Sequence, residues 1–488
     1  MHRSSSRSSA ARVRRPLLWA SILLFAAAAL VGGTARAQSR LPPALSQALS
    51  QAGIPETAVG LYVHEIGAGE PVLAVGAARA LNPASTMKLV TTYAALELLG
   101  PAYTWPTEIY ATGPLAQEVL NGDLVIKGYG DPRLTIEDFW LLLREIRSRG
   151  VREIRGDLVL DRSHFAANGL NASAFDGEPT RPYNTGPDAL LVNFKAVRLT
   201  FIPEPESRSV RITVEPPLRE LAVANKIKLD NAPCGDWETR LKLDPQDGAG
   251  SARLAFTGSF SMACGERVRH YSVLGHPQYV ASLFQELWRE LGGTFAGKMR
   301  DGEASAGAQL LARAHSPALA EIVRDINKFS NNVMARQLFL TLGAEGDGPP
   351  GTTDKANRVV RQWLAQKGLT MPELVIENGS GLSRIERISA QSLGRLLLAA
   401  FSSPLMPEFI ASLPLAAVDG TMKKRLNGAP VAGQAHVKTG LLTGVRALAG
   451  YVLDARGRRI AVVFIVNHAN YGAAQAAQDA LLKWVYTR

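Results

Sequence analysis

The 488-residue sequence is poor in several features that common chemistries need. Its eight histidines are scattered, with no H-E-x-x-H and no close pair at ligand spacing, so a metal enzyme is disfavoured. His64 and His468 sit in or beside strand-like stretches and read as structural. No G-x-S-x-G occurs, which disfavours an α/β-hydrolase with its serine on a strand-to-helix elbow. After residue 37 there is no long apolar run, so the rest of the chain reads as soluble or peripheral. There is no internal repeat, and no low-complexity tract beyond the N-terminus. Cysteine is confined to Cys234 and Cys264. In an exported chain the two could pair and close a loop, contributing roughly 3 kcal/mol through loop-closure entropy; two buried free thiols are the other reading.

What the sequence has in excess is positive charge at its start. The formal net charge is +11 at pH 7, yet residues 1–37 hold six arginines and no acid, and without them it is +5. Arg3, Arg7, Arg12, Arg14 and Arg15 precede the apolar run Leu17 to Val31, and Ala35-Arg36-Ala37 places small residues at cleavage spacing. That pattern predicts a secretory signal peptide over 1–37 and an exported mature protein. An uncleaved anchor is the alternative, although the run is short for a membrane span. With the basic excess confined to the export signal, a nucleic-acid partner loses its main support. A mildly basic mature chain still leaves room for peripheral association with an anionic envelope surface.

Three short motifs carry the chemistry. Ser85-Thr86-Met87-Lys88 is S-x-x-K, Ser330-Asn331-Asn332 is S-x-N and Lys438-Thr439-Gly440 is K-T-G; each occurs once, in that order. Pro83 fits the first turn of a helix and Gly100 the stop just past its end. On that helix Ser85 and Lys88 share a face, with Ser85 where free N–H groups favour a developing anion. A neutral Lys88 amine can take the Ser85 proton, and burial or a second cation, Lys438, would keep it neutral. Ser330 can relay a proton to a leaving group, and Asn332 can hold Lys88 and a substrate amide. Lys438 and Thr439 can bind a carboxylate, and Gly440 lets the strand edge come close. The backbone N–H groups of Ser85 and Leu441 would form the oxyanion hole.

The surrounding pattern is α+β. A helix over 44–52, strands over 57–66 and 71–75, three strands over 436–442, 446–453 and 459–466, and a helix over 473–486 predict one five-stranded antiparallel sheet built from both chain ends, with flanking helices and a helical lobe. The expected division is 38–102 with 291–488 for the catalytic domain, 103–195 with 270–290 for an inserted domain, and 196–269 for a smaller β-rich domain nested within it.

These motifs, with Gly130-Asp131-Pro132, the segment Gly156 to Asp161, the segment Asn378 to Arg384, and Leu413-Pro414-Leu415 leading to Asp419-Gly420-Thr421, give a chain that resembles class C low-molecular-mass penicillin-binding proteins, the D-alanyl-D-alanine carboxypeptidase/endopeptidase family;. The long gap between Ser85 and Ser330 is part of the resemblance. It implies a β-lactamase/transpeptidase-like catalytic domain and hydrolysis of peptidoglycan stem peptides and cross-links through an acyl-enzyme on Ser85. It also implies inhibition by β-lactams, and neither a metal nor an organic cofactor. It places Arg384 at the distal end of the substrate, and an acidic and an aromatic residue of the insertion, in the region of Asp176, Glu178 and Tyr183, near the same end. Leu441 departs from the serine or threonine that relatives often carry, and Thr443 from a longer polar residue. A β-lactamase or esterase of the same fold, and a penicillin-binding envelope scaffold with little turnover, are the rival functions.

Overall fold

Period-two patterning is clearest in Arg459–Asn467, whose interior residues are all buried. Ile460, Val462, Phe464 and Val466 enter one core while Ala461, Val463 and Ile465 enter another. Successive side chains of a strand point to opposite faces, so this strand belongs to a sheet covered on both sides. In the computed structural model, which describes residues 40–167, 172–248 and 250–488, it is the centre of a five-stranded antiparallel sheet. The order is Leu73–Val75, Val59–Glu65, Arg459–Asn467, Val445–Leu453, Ala435–Leu442. Both chain ends therefore build one sheet. The expected signal peptide lies outside the described residues, among which no helix is long and apolar enough to cross a membrane.

One face of the sheet is covered by the helices Pro43–Gln51 and Ala474–Thr487, through Leu45, Leu49, Leu481, Leu482 and Val485. The other carries Ala390–Phe401, and beyond it a lobe of Lys88–Leu99, Leu319–Phe329, Asn332–Asp347 and Thr353–Gln366. Lys88–Leu99 runs through the middle of that lobe. Every residue from Lys88 to Leu96 is buried, so packing on all sides holds it rather than one apolar stripe. A fully buried leucine there contributes about 1.5–3 kcal/mol relative to an exposed one. Leu319–Phe329 is amphipathic by contrast and buries Leu319, Ile322, Val323 and Ile326 at helical spacing;.

The segment between the two halves of this unit has its own core, running from Ile109 to Ala312. Its main sheet orders Met299–Asp301, Leu158–Asp161, Leu124–Gly128, Pro106–Ala111 and Gln309–His315. The helix Ile136–Ser148, opened by a capping box of Thr135 and Asp138, buries Phe139, Leu142, Leu143 and Ile146 in the same core. The stretch 153–161 forms two strands, Glu153–Ile154 and Leu158–Asp161. Gly156 interrupts them where a Cβ would stand 2.3 Å from the Gly122 carbonyl oxygen. Three further sheets belong to the segment: a three-stranded one (Ser209–Glu215, Ala196–Glu204, Arg267–Ser272) and two of four strands, Leu221–Asn225, Ala252–Ser261, Lys228–Asp230 with Leu241–Asp247, and Thr294–Phe295, Glu153–Ile154, Val119–Leu120 with Leu115–Ala116. The Cys234 and Cys264 sulfurs are bonded to each other, with Cα atoms 4.7 Å apart.

The expected return of the chain at 291 needs correcting. Thr294–Phe295, Met299–Asp301 and Gln309–His315 pair with Glu153–Ile154, Leu158–Asp161 and Pro106–Ala111. These three short strands complete sheets already begun by the insertion, so we place the junction at 315–319.

Candidate active site

The segment before Lys88–Leu99 is a 3-10 turn, Ala84–Met87, rather than the first turn of the α-helix. Residues i and i+3 eclipse in that geometry, which lines Ser85 and Lys88 up on one side of the turn. Ala84 has φ of 45°, a strained value for a residue with a Cβ. The turn is held from both sides. Asn82 Oδ1 accepts from the Ala84 N–H at 2.9 Å, Asn82 Nδ2 donates to the Ser383 carbonyl at 2.8 Å, and Asn467 Oδ1 accepts from the Asn82 N–H at 2.8 Å.

Lys88 is fully buried. Its Nζ lies 3.1 Å from Ser85 Oγ, donates to Asn332 Oδ1 at 2.6 Å, and donates to the Ser380 carbonyl. Burial pushes its pKa well below the usual lysine value; the nearby Lys438 charge adds to that, with a smaller contribution from Arg336, while Glu386 opposes it. Asn332 opens the helix Asn332–Asp347, which is capped by Asn331 Oδ1 accepting from the Met334 N–H at 3.1 Å. The preceding helix ends at Ser330 in the left-handed conformation, φ 57°. That turn aims the Ser330 hydroxyl at Lys438, whose Nζ donates to Ser330 Oγ at 2.8 Å and to the Thr439 carbonyl at 2.9 Å.

Lys438 is also fully buried, and burial lowers its pKa to about 7. It sits on Ala435–Leu442, at the end of the sheet. The Val437 N–H donates to the Pro414 carbonyl and the Ala435 carbonyl accepts from the Ala416 N–H, both away from the neighbouring strand. Backbone direction alternates along a strand, and the register runs unbroken to Leu442. The N–H groups of Thr439 and Leu441 therefore face outward as well. Thr439 Oγ1 donates to Thr421 Oγ1 at 2.8 Å, and the segment around Thr421 is latched by Lys328 Nζ donating to Asp419 Oδ2 at 2.7 Å.

The structure thus brings Ser85, Lys88, Ser330, Asn332, Lys438, Thr439 and Gly440 into one cluster. Arg384 is placed differently: its guanidinium is exposed, lies 4.4 Å over the Phe175 ring and donates to the Thr443 carbonyl at 3.2 Å. It borders a cavity of about 260 Å³ shared by Phe175, Asn184, Arg336 and Leu382. Tyr183 Oη donates to Asp176 Oδ2 at 2.8 Å, and Asn184 Nδ2 donates to Asp176 Oδ1 at 2.7 Å. Among the described residues no group of three or more His, Cys, Asp or Glu is placed to hold a metal ion. Motif reading misses the Ser380 carbonyl, Phe175 and Arg336, and gives Thr421, in the quoted stretch Asp419 to Thr421, no role. A backbone acceptor has no residue signature, and Phe175 and Arg336 lie outside the motifs.

The family model described as the D-Ala-D-Ala carboxypeptidase 3 (S13) family matches residues 41–487. A D-alanyl-D-alanine carboxypeptidase of Actinomadura sp. (strain R39) is 32% identical over 491 residues, covering 98% of this chain and 90% of that protein. The D-alanyl-D-alanine carboxypeptidase DacB of Haemophilus influenzae is 26% identical over 419 residues, covering 85% of this chain and 86% of that one. The crystal structure of penicillin binding protein 4 (dacB) from H. influenzae superposes with a TM-score of 0.78 at 24% identity, covering 91% of this chain and 99% of that chain.

Proposed function

The chain belongs to the D-Ala-D-Ala carboxypeptidase 3 (S13) family, and we propose that Ser85 is the nucleophile through which it performs that serine-peptidase chemistry. The observation that carries this reading is the set of partners around Lys88 Nζ. A neutral amine has two N–H donors and one lone pair. Asn332 Oδ1 and the Ser380 carbonyl, neither able to donate, use both N–H groups. The lone pair is left for the Ser85 hydroxyl at 3.1 Å.

Ser85 Oγ attacks the carbonyl of the penultimate D-Ala while its proton passes to Lys88. The negative charge that develops on the carbonyl oxygen falls between the N–H of Ser85 and the outward N–H of Leu441. As the C–N bond breaks, the proton returns through Ser330, which bonds Lys438, to the leaving amine. Water then hydrolyses the ester. Lys438, as ammonium, and Thr439 take the terminal carboxylate, and Arg384 borders the cavity for the distal end of the stem peptide. The substrate is peptidoglycan, as stem peptide or cross-link, β-lactams acylate the same serine, and the compartment is the periplasm, reached by the signal peptide at 1–37.

The test is labelling of the protein by fluorescent penicillin with mass spectrometry of the labelled peptide, beside Ser85→Ala. An adduct on Ser85 that the variant lacks, followed by D-Ala release from a pentapeptide, is the expected result. Label that persists in Ser85→Ala removes the nucleophile assignment. Rapid turnover of penicillin with no D-Ala release favours a β-lactamase instead.

A further inference from the structure

Glu386 is fully buried, in the loop that precedes the short strand Ile388–Ser389. Its Oε1 accepts three consecutive backbone N–H groups, from Glu377 at 3.1 Å, Asn378 at 3.1 Å and Gly379 at 3.2 Å. Its own N–H donates to Ser383 Oγ at 3.1 Å. Oε2 is buried with no hydrogen-bond partner. Burial pushes the Glu386 carboxyl above the usual glutamate value, while the three N–H groups and the Lys88 charge pull it back toward the ionised form. Burying a carboxylate costs several kcal/mol unless it is compensated, so a loop needing only a backbone acceptor there would be served by a neutral one.

The bonded run leads directly to the catalytic amine. Gly379 offers its carbonyl to Thr91 Oγ1 at 2.7 Å, and the next residue, Ser380, offers its carbonyl to Lys88 Nζ. The charges around Lys88 come from three other elements: Lys438 on the edge strand, Arg336 on the helix Asn332–Asp347, and Glu386 on this loop. Arg336 is itself influenced by Glu377 as well as by Glu386. Glu386 is thus an anion set against both Lys88 and Arg336.

We propose that Glu386 is a positioning residue for Lys88, ionised in the working enzyme, whose carboxylate clamps the 377–380 backbone against the Lys88 amine and balances the cation cluster around it. This rests on the reading of Lys88 as the base for Ser85. The carboxylate acts in two separable ways. As an acceptor it fixes the Ser380 carbonyl, which a glutamine oxygen could also do. As a charge it favours the protonated form of Lys88, which glutamine could not do.

The test is the rate of Ser85 acylation by penicillin against pH, for the full chain and for Glu386→Gln and Glu386→Ala. The rate falls on the acid side as Lys88 becomes protonated. Glu386→Gln is expected to keep the plateau within about threefold and to move that acid limb about one pH unit lower, because a lost anion lowers a lysine pKa. Glu386→Ala is expected to lose at least tenfold on the plateau. A purely structural carboxylate would lower stability without moving the limb. An unmoved limb in Glu386→Gln, with Ser85 labelled normally, overturns this proposal alone. Absence of labelling on wild-type Ser85 overturns the base reading and this proposal together.

Discussion

The Cβ that Gly440 lacks would stand 3.0 Å from the backbone nitrogen of Ser85 and 2.8 Å from the Pro83 carbonyl oxygen. On the other side, a Cβ on Gly381 would stand 2.0 Å from the Ala84 carbonyl oxygen and 2.8 Å from the Ser85 Cα. Two glycines from opposite halves of the site therefore press on one strained turn, and the Ser85 backbone cannot shift without meeting one of them.

Gly440→Ala tests that contact. The atoms it would meet are mostly backbone, and overpacking of this kind costs about 1–3 kcal/mol. The expected outcome is at least a tenfold loss in the rate of penicillin acylation, with a fall in Tm of only a few degrees. A variant that acylates at the wild-type rate would show that the turn has more freedom than these distances allow.

The cluster around Ser85 is legible in the sequence where its members are set by local spacing. Ser85 and Lys88 are three residues apart, Ser330 and Asn332 two, and Lys438 adjoins Thr439, so any regular local conformation keeps each set together. The Ser380 carbonyl is another matter. It meets Lys88 across 292 residues, and nothing in a residue's identity marks its carbonyl as a partner. The five-stranded sheet is legible because Arg459–Asn467 and its neighbours alternate or run apolar over full strand lengths. The return strands Met299–Asp301 and Gln309–His315 are not: they are short or arginine-bearing, with burial patterns that show little alternation. They form because sheet edges already exist for them to complete. Helix Ala390–Phe401 is absent from the sequence reading although Leu393, Leu396, Leu397 and Ala400 have helical spacing and are buried.

The two buried lysines predict opposite pH limbs. Lys438 is an ammonium below about pH 7 and loses its charge above it, because burial has lowered its pKa to about 7. Attraction for a substrate carboxylate is therefore present at lower pH and fades as pH rises. Lys88 must be neutral, so activity is lost as pH falls through its own depressed value. For a peptide ending in free D-Ala-D-Ala, kcat/KM should decline above about pH 7. In kcat the alkaline limb should lie higher, because a bound carboxylate stabilises the Lys438 ammonium. A peptide with an amidated C-terminus should lack the alkaline limb; if it keeps the limb, Lys438 is not reading the carboxylate.

The Cys234–Cys264 bond joins the middle of the nested β-rich segment to its end, 30 residues apart in sequence. Loop closure of that length is worth roughly 3 kcal/mol. Changing both cysteines to serine should speed amide exchange in Leu221–Asn225 and Ala252–Ser261 by about a hundredfold. Both strands lie in the sheet beside the bond, in the insertion's own core, whereas Lys88–Leu99 packs in another. Penicillin acylation should therefore change by less than about twofold, and a larger loss would mean the nested segment supports the catalytic unit directly.

Arg384 separates binding from chemistry. Its guanidinium lies over Phe175, bonds the Thr443 carbonyl and remains exposed beside the 260 Å³ cavity. A charged hydrogen bond to a carboxylate there is worth about 1.5 kcal/mol, close to a factor of ten. Arg384→Ala should raise KM about tenfold for a peptide with a carboxylate on its distal side chain, with kcat within about twofold and penicillin acylation unchanged. Lysine should not restore it, because a compact ammonium cannot stack on the ring and bond Thr443 while facing the ligand. An equal loss with a distally neutral peptide would instead assign Arg384 to holding its loop against Thr443.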